Sequence, residues 1–167
     1  MKYAGMILND TAAAPGVCLS VFTQGCPHHC KNCFNPETWD FNGGKEFTGE
    51  VMNKIISNLN KNGIQRPLCI LGGEPLCKQN RPLTDFIINS VKAASPETKI
   101  YIWTGYILED LLLNNDEILN DILNKADYLI DGPFEEDKKD VTLQMRGSAN
   151  QRIIRINQGI FEFVDKI

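Results

Sequence analysis

The sequence contains no run of basic residues. Its formal net charge is −4, from 17 lysines and arginines against 21 aspartates and glutamates. Nucleic-acid binding needs a basic electrostatic footprint, so direct contact with nucleic acid is disfavoured. An anionic membrane surface is disfavoured for the same reason. No apolar stretch approaches the roughly 20 residues that a membrane helix needs. The opening residues MKYAGMILND lack the apolar core of a signal peptide. There is no internal repeat and no low-complexity tract. With these absent, the expectation is a single cytoplasmic domain over residues 1–167, long enough to bury a real core. Apolar content of 43% with 23% charged residues fits a soluble globular protein.

Six cysteines in such a chain read as reduced thiols kept for metal binding or chemistry. Three of them, Cys26, Cys30 and Cys33, stand at C-x3-C-x2-C spacing in GCPHHCKNCFNPETW, residues 25–39. Thiolates are soft ligands that select zinc, Cu(I) or iron–sulfur clusters. A four-iron cluster held by three cysteines leaves one iron open to a non-protein ligand. The structural rival is a zinc site with His28 or His29 as fourth ligand. On the triplet alone the two readings weigh almost equally. Cys18 and Cys69 lie in apolar strands and read as small core residues. Cys77 follows Leu76 near the candidate site and reads as a free thiol, since no further cysteine gives it a pairing pattern.

Residues 17–22 predict a first core strand, bounded by glycine. Residues 49–62 predict an amphipathic helix with Thr48 as N-cap and Gly63 as stop. A buried strand follows at 67–71. A second helix follows at 82–94, with Leu83, Phe86, Ile87 and Val91 on its apolar face and Pro82 in its first turn. Strands are expected at 99–103 and 127–131, separated by one or two helices over 107–124 that break near Asn114-Asn115. Residues 152–156 and 160–164 read as two strands around Asn157-Gln158-Gly159, a hairpin. Strands alternating with helices imply βαβ units and a parallel sheet. A full eight-fold barrel takes about 250 residues. The expected fold is therefore α/β, a partial, open parallel βα barrel with the site at the C-terminal ends of its strands.

A second stretch, LGGEPL at residues 71–76, ends the 67–71 strand. Alone, Gly72-Gly73 reads as a turn and Glu74 as a solvated carboxylate. A cysteine-triplet loop after one strand with Gly-Gly-Glu-Pro after the next resembles the radical S-adenosylmethionine (SAM) enzymes. Together with IWTGY, LIDGPF and RGSANQRII, these stretches resemble the activating proteins of anaerobic (class III) ribonucleotide reductase. They run in the family's order and cover most of the chain from Gly25 to Ile154. DGPF followed by RGSANQR is far more specific than the cysteine triplet.

The resemblance implies a barrel of the radical SAM type and a [4Fe-4S] cluster on Cys26, Cys30 and Cys33. It implies SAM beside Asn32, Cys33, Phe34, Gly72, Gly73 and Glu74, the carboxylate accepting from the SAM ammonium. Thr104 and Asp131 join that set by position, at the ends of the third and fourth strands; the bland reading of Asp131 is a cap on the following turn. His28 and His29 then sit beside the cluster rather than ligate it. Many members of the superfamily carry an aromatic residue just before the third cysteine; here Asn32 takes that place and Phe34 follows. The segment Arg146–Arg152 would close over SAM or meet the partner. The implied activity is reductive cleavage of SAM that leaves a glycyl radical on the large anaerobic reductase. The electron would come from a low-potential donor such as flavodoxin or ferredoxin. The alternatives are an activase of the pyruvate formate-lyase type and a non-catalytic zinc-binding module.

Overall fold

Alternation of apolar residues along the strands decides which face of the sheet the helices cover. The computed structural model describes residues 1–167. In chain order the elements are β1 (Lys2–Asp10), β2 (Cys18–Thr23), β3 (Lys45–Glu46), α1 (Gly49–Leu59), β4 (Leu68–Gly72) and α2 (Arg81–Ala94). There follow β5 (Ile100–Trp103), α3 (Leu108–Leu113), α4 (Glu117–Lys125), β6 (Tyr128–Asp131), β7 (Arg152–Asn157) and β8 (Ile160–Val164). The eight strands form one sheet in the order β3-β1-β2-β4-β5-β6-β7-β8.

The expected parallel pairing holds only in the middle of this sheet. Strands β2, β4, β5 and β6 are parallel, with Val21 opposite Ile70, Ile70 opposite Ile102 and Ile102 opposite Leu129. At one edge β1 and β3 are antiparallel, and at the other β7 and β8 are antiparallel. The connections explain the difference. A parallel return needs a crossover of a dozen or more residues, usually a helix. Helix α1, helix α2 and the α3–α4 pair supply the crossovers within the parallel part. No α-helix lies between β1 and β2 or between β6 and β7, and the chain turns back there. Between β7 and β8, Gln158 and Gly159 both take positive φ, 49° and 78°, as a type I′ hairpin turn requires.

Leu19, Val21, Leu68, Ile70, Ile100, Ile102 and Leu129 point to one face and pack with residues of all four helices. Their neighbours Cys18, Cys69, Tyr101, Tyr128 and Ile130 point to the other face, in a smaller cluster with no helical residue. The sheet is thus helix-covered on one side only. Thr48 caps α1 as expected, accepting from Val51 N at 3.4 Å. That helix stops at Leu59 rather than 62, and residues 61–63 form a separate 3-10 turn. Phe86 is not on the buried face of α2. Leu83, Thr84, Ile87, Ile88 and Val91 are, and Phe86 lies on the flank, its ring perpendicular to that of Phe47. Helices α3 and α4 separate at Asn115, whose φ is 43°, and Asp116 caps α4 by accepting from Leu119 N at 2.9 Å. No helix is long and apolar enough to cross a membrane.

Arg66 closes the end of α1, which sequence reasoning missed. It is buried, at 5% exposure, and NH1 donates to the carbonyls of Asn58, Lys61 and Ile64. Nε and NH2 both donate to Asn9 Oδ1, tying the helix end to β1. Removing such a group leaves several acceptors with reduced partnering in a dry site. Arg66→Ala is expected to lower the unfolding free energy by about 2–4 kcal/mol. Urea denaturation measures this as a fall in midpoint.

Candidate functional site

The loop after β2 and the turn after β4 are clipped together by backbone hydrogen bonds. Gly73 N donates to Thr23 O at 3.0 Å, and Glu74 N donates to Gly25 O at 2.8 Å. Asn80 Nδ2 donates to Gly25 O and to Glu74 O, at 3.0 and 2.9 Å. The approach is so close that a Cβ on Gly73 would stand 2.5 Å from Gly25 O, so only glycine fits. The cysteine loop then folds back on itself. His29 and Asn32 take positive φ, 48° and 56°, and Cys33 N donates to Cys30 O at 3.1 Å.

This brings Cys26, Cys30 and Cys33 to the wall of one cavity of about 540 Å³. Gly72, Gly73 and Glu74 form the adjoining wall, with Thr104 and Gly105 from the end of β5. Leu71 and Trp103 line it from the helix-free face, each two residues on from Cys69 and Tyr101. Phe34 and Phe134 pack against each other, ring centroids 5.3 Å apart, and Val141, Leu143 and Met145 complete the apolar side. The cavity therefore lies at the C-terminal ends of the parallel strands, where βα architectures place their sites.

Burial raises the Cys26 thiol to about 11, against the lowering effect of the His28 and His29 amides and with a further rise from the Glu74 charge. Burial raises Cys30 as well, opposed by the Phe134 amide. Cys33 Sγ accepts from Asn35 N at 3.4 Å. A backbone N–H aimed at a cysteine sulfur in this way stabilises a metal-bound thiolate and tunes a cluster. No three His, Cys, Asp or Glu side chains converge on a point that would suit one ion. A cluster takes each thiolate on a different iron, so its ligands stand further apart around one cavity. Three thiols on the wall of one cavity fit a cluster by their donor chemistry.

Glu74 is only 1% exposed. Its Oε1 accepts from Leu76 N and Thr104 Oγ1 at 2.9 and 2.8 Å. Its Oε2 accepts from Gly105 N and His28 Nε2 at 2.7 and 2.9 Å. A buried carboxylate needs such donors to offset its lost hydration. Far from being a solvated loop residue, it joins the cysteine loop to the ends of β4 and β5.

Two expected site residues lie elsewhere. Asn32, at positive φ in the turn of the cysteine loop, is exposed and off the cavity wall. Asp131 is fully buried and also off the wall. Its Oδ2 accepts from Leu108 N at 2.8 Å, which caps α3, a service the apolar Ile107 in the N-cap position cannot perform. Its Oδ1 accepts from Arg152 Nε at 2.9 Å, and Arg152 also forks onto Glu109. That pairing holds the Glu109 carboxyl down at about 2, chiefly through its hydrogen bonds to Arg152.

The segment after the charged loop acquires individual roles. Gln151 Oε1 accepts from Gly147 N and Ser148 N, and its Nε2 donates to Gly132 O. Asn150 Nδ2 donates to Pro133 O at 2.7 Å. These bonds fasten Gly132-Pro133-Phe134 over the cysteines. Trp103, missed in the sequence, donates from Nε1 to Met145 O at 2.8 Å and pins the same loop. Strand parity was the available signal for it. Cys18 and Cys69 are core residues, and Cys77 is buried off the cavity wall; burial raises all three thiols.

Residues 12–154 match the family model described as "4Fe-4S single cluster domain". The chain belongs to that family. It is 38% identical over 152 residues to an anaerobic ribonucleoside-triphosphate reductase-activating protein of Salmonella typhi, covering 90% of this chain and 96% of the relative. The protein of the same name from Escherichia coli strain K12 is 37% identical over the same shares, and that of Enterobacteria phage T4 is 35% identical over 97% and 99%. Within the single-cluster family, then, the chain is a member of the family of anaerobic ribonucleoside-triphosphate reductase-activating proteins.

Because Asp131 is a buried structural ion-pair partner, Asp131→Ala is expected to destabilise the fold by about 3 kcal/mol. A thermal unfolding scan checks this; an unchanged midpoint would return Asp131 to the list of ligand-binding candidates.

Proposed function

We propose that the chain activates an anaerobic ribonucleoside-triphosphate reductase by generating a glycyl radical on it. In this reading Cys26, Cys30 and Cys33 hold a [4Fe-4S] cluster. SAM lies in the cavity against Gly72, Gly73, Glu74 and Thr104, with Cys33 and Phe34 at its flank. The observation that carries the reading is that the cysteine triplet and the Gly-Gly-Glu turn share one cavity. The names of the relatives support the choice of partner. The one-sided helical cover of the parallel strands supports a partial βα barrel.

With both groups bound, one-electron reduction of the SAM sulfonium would break its C–S bond, releasing methionine and giving a deoxyadenosyl radical able to take hydrogen from a glycine of the partner. A low-potential donor such as a flavodoxin or ferredoxin would replace that electron. The chain's own residues orient and shield. Gly72 and Gly73 present bare backbone to the cavity, and their missing side chains make room for Phe22 and Gly25. Leu71, Trp103 and Phe134 give one wall an apolar lining that keeps water away. Phe34 and Val141, 62% and 81% exposed, stand at the cavity as apolar surface for the reductase to cover. The target is a backbone carbon of another protein, so the cavity must stay open on one side until that partner arrives.

Two measurements test this. Anoxic reconstitution is expected to give about four irons and four sulfides per chain. Alanine at Cys26, Cys30 or Cys33 is expected to abolish them, and alanine at Cys18, Cys69 or Cys77 to leave them. Stoichiometric zinc without sulfide would overturn the cluster assignment. Reduced protein, SAM and the anaerobic reductase, mixed without oxygen, are expected to show a glycyl radical by electron paramagnetic resonance. That signal should vanish when the reductase's radical glycine is alanine. A radical seen only with pyruvate formate-lyase would assign the chain to that activase type instead.

A further inference from the structure

The four acceptor positions of Glu74 are all filled from within the chain. A carboxylate has about four lone-pair directions. Leu76 N, Thr104 Oγ1, Gly105 N and His28 Nε2 take them. An ammonium group that is to reach this carboxylate must displace one donor. Leu76 N and Gly105 N are backbone groups fixed at the ends of a turn and a strand. Thr104 is buried, at 5% exposure. His28 differs from the other three. Its side chain is 19% exposed, it lines the cavity, and it belongs to the cysteine loop rather than to the sheet. Its remaining contacts are packing contacts. The ring meets Tyr106 edge-on with centroids 4.5 Å apart. It lies so close to Gly105 that a Cβ there would stand 2.5 Å from His28 Cδ2. Glu74 has no lysine or arginine partner; His28 is the sole basic group bonded to it.

We propose that His28 is a positioning residue that occupies the ammonium place on Glu74 and yields it when SAM binds. The inference rests on the proposed function, since it takes SAM as the ligand. Its mechanical sense follows from the chain. His28 stands between Cys26 and Cys30, so the bond to Glu74 holds the cysteine loop against the sheet edge. Exchange of that bond for an ammonium would carry news of ligand occupancy directly to the loop.

The test compares SAM affinity in reconstituted wild type, His28→Ala, His28→Gln and Glu74→Gln, each brought to equal iron and sulfide content. Equilibrium dialysis against the oxidised cluster form avoids turnover. Removing a donor that SAM must displace is expected to tighten binding by about fivefold in His28→Ala, the worth of one hydrogen bond. His28→Gln, whose amide nitrogen reaches the place of Nε2, is expected to restore wild-type affinity. Glu74→Gln is expected to weaken binding by roughly tenfold or more. A SAM analogue whose amino group is replaced by hydrogen is expected to bind wild type and His28→Ala alike. Should His28→Ala hold less iron, His28→Leu keeps an apolar side chain against Tyr106 and makes the same comparison. Affinity that falls or stays level in the alanine or leucine variant, while Glu74→Gln still weakens it, overturns this inference alone. The same tightening with the amino-less analogue also overturns it. A four-iron wild type that binds no SAM overturns the proposed function and this inference with it.

Discussion

The geometry of the site depends on one buried anion. Glu74 is held by donors from the cysteine loop, from its own turn and from the end of β5. A carboxylate withdrawn from water must find that many partners or shift its charge. Each partner is therefore constrained to come to it. Thr104 and Gly105 fix where β5 ends, Leu76 fixes the turn, and His28 fixes how far the cysteine loop leans over the sheet. The glycines at 73 and 105 are consequences of the same convergence. Side chains there would meet Gly25 O and the His28 ring.

A second constraint is the asymmetry of the sheet. All four helices pack on one face because each crossover within the parallel part returns on the same side. The other face is left to loops. Toward the strands' N-terminal ends it is closed by Ala14 and the stacked rings of Tyr101 and Tyr128, 4.8 Å apart. At the strands' C-terminal ends it opens into the cavity. The loop from Gly132 to Gln151 then becomes a wall, because Gln151, Asn150 and Trp103 hold it by its backbone. Its Phe134 ring packs on Phe34 of the cysteine loop. The loop has little regular structure, and its order comes from these side-chain-to-backbone bonds.

The edges of the sheet show how far local pattern reaches. The hairpin at Gln158-Gly159 was legible because two residues in left-handed conformation are a local requirement. The antiparallel pairing of β7 with β6 was not, because nothing local separates a strand that continues a parallel series from one that reverses it. Phe86 is the same lesson on a helix. It shares the spacing of Leu83 and Ile87, yet lies just outside the arc that meets the sheet. Asp131 and Thr104 both end strands, and sequence position treated them alike. Thr104 reached the cavity wall. Asp131 was claimed by Arg152 and by the uncapped amide of Leu108, and burial without such partners would have been costly.

Chemistry carried by covalent neighbours was determined by the sequence alone. The cysteine spacing, the Gly-Gly-Glu turn, the N-cap at Thr48 and the helical and strand periods depend on residues a few positions apart. Which of those residues meet was decided by the tertiary structure. It placed His28 on Glu74 across 46 residues, Gln151 on Gly132 across 19, and Arg66 on Asn9 across 57. These contacts satisfy buried polar groups, and burial is a property of the assembled fold. No window along the chain shows which carboxylate, guanidinium or amide will lose its water, so none shows which partner it must find.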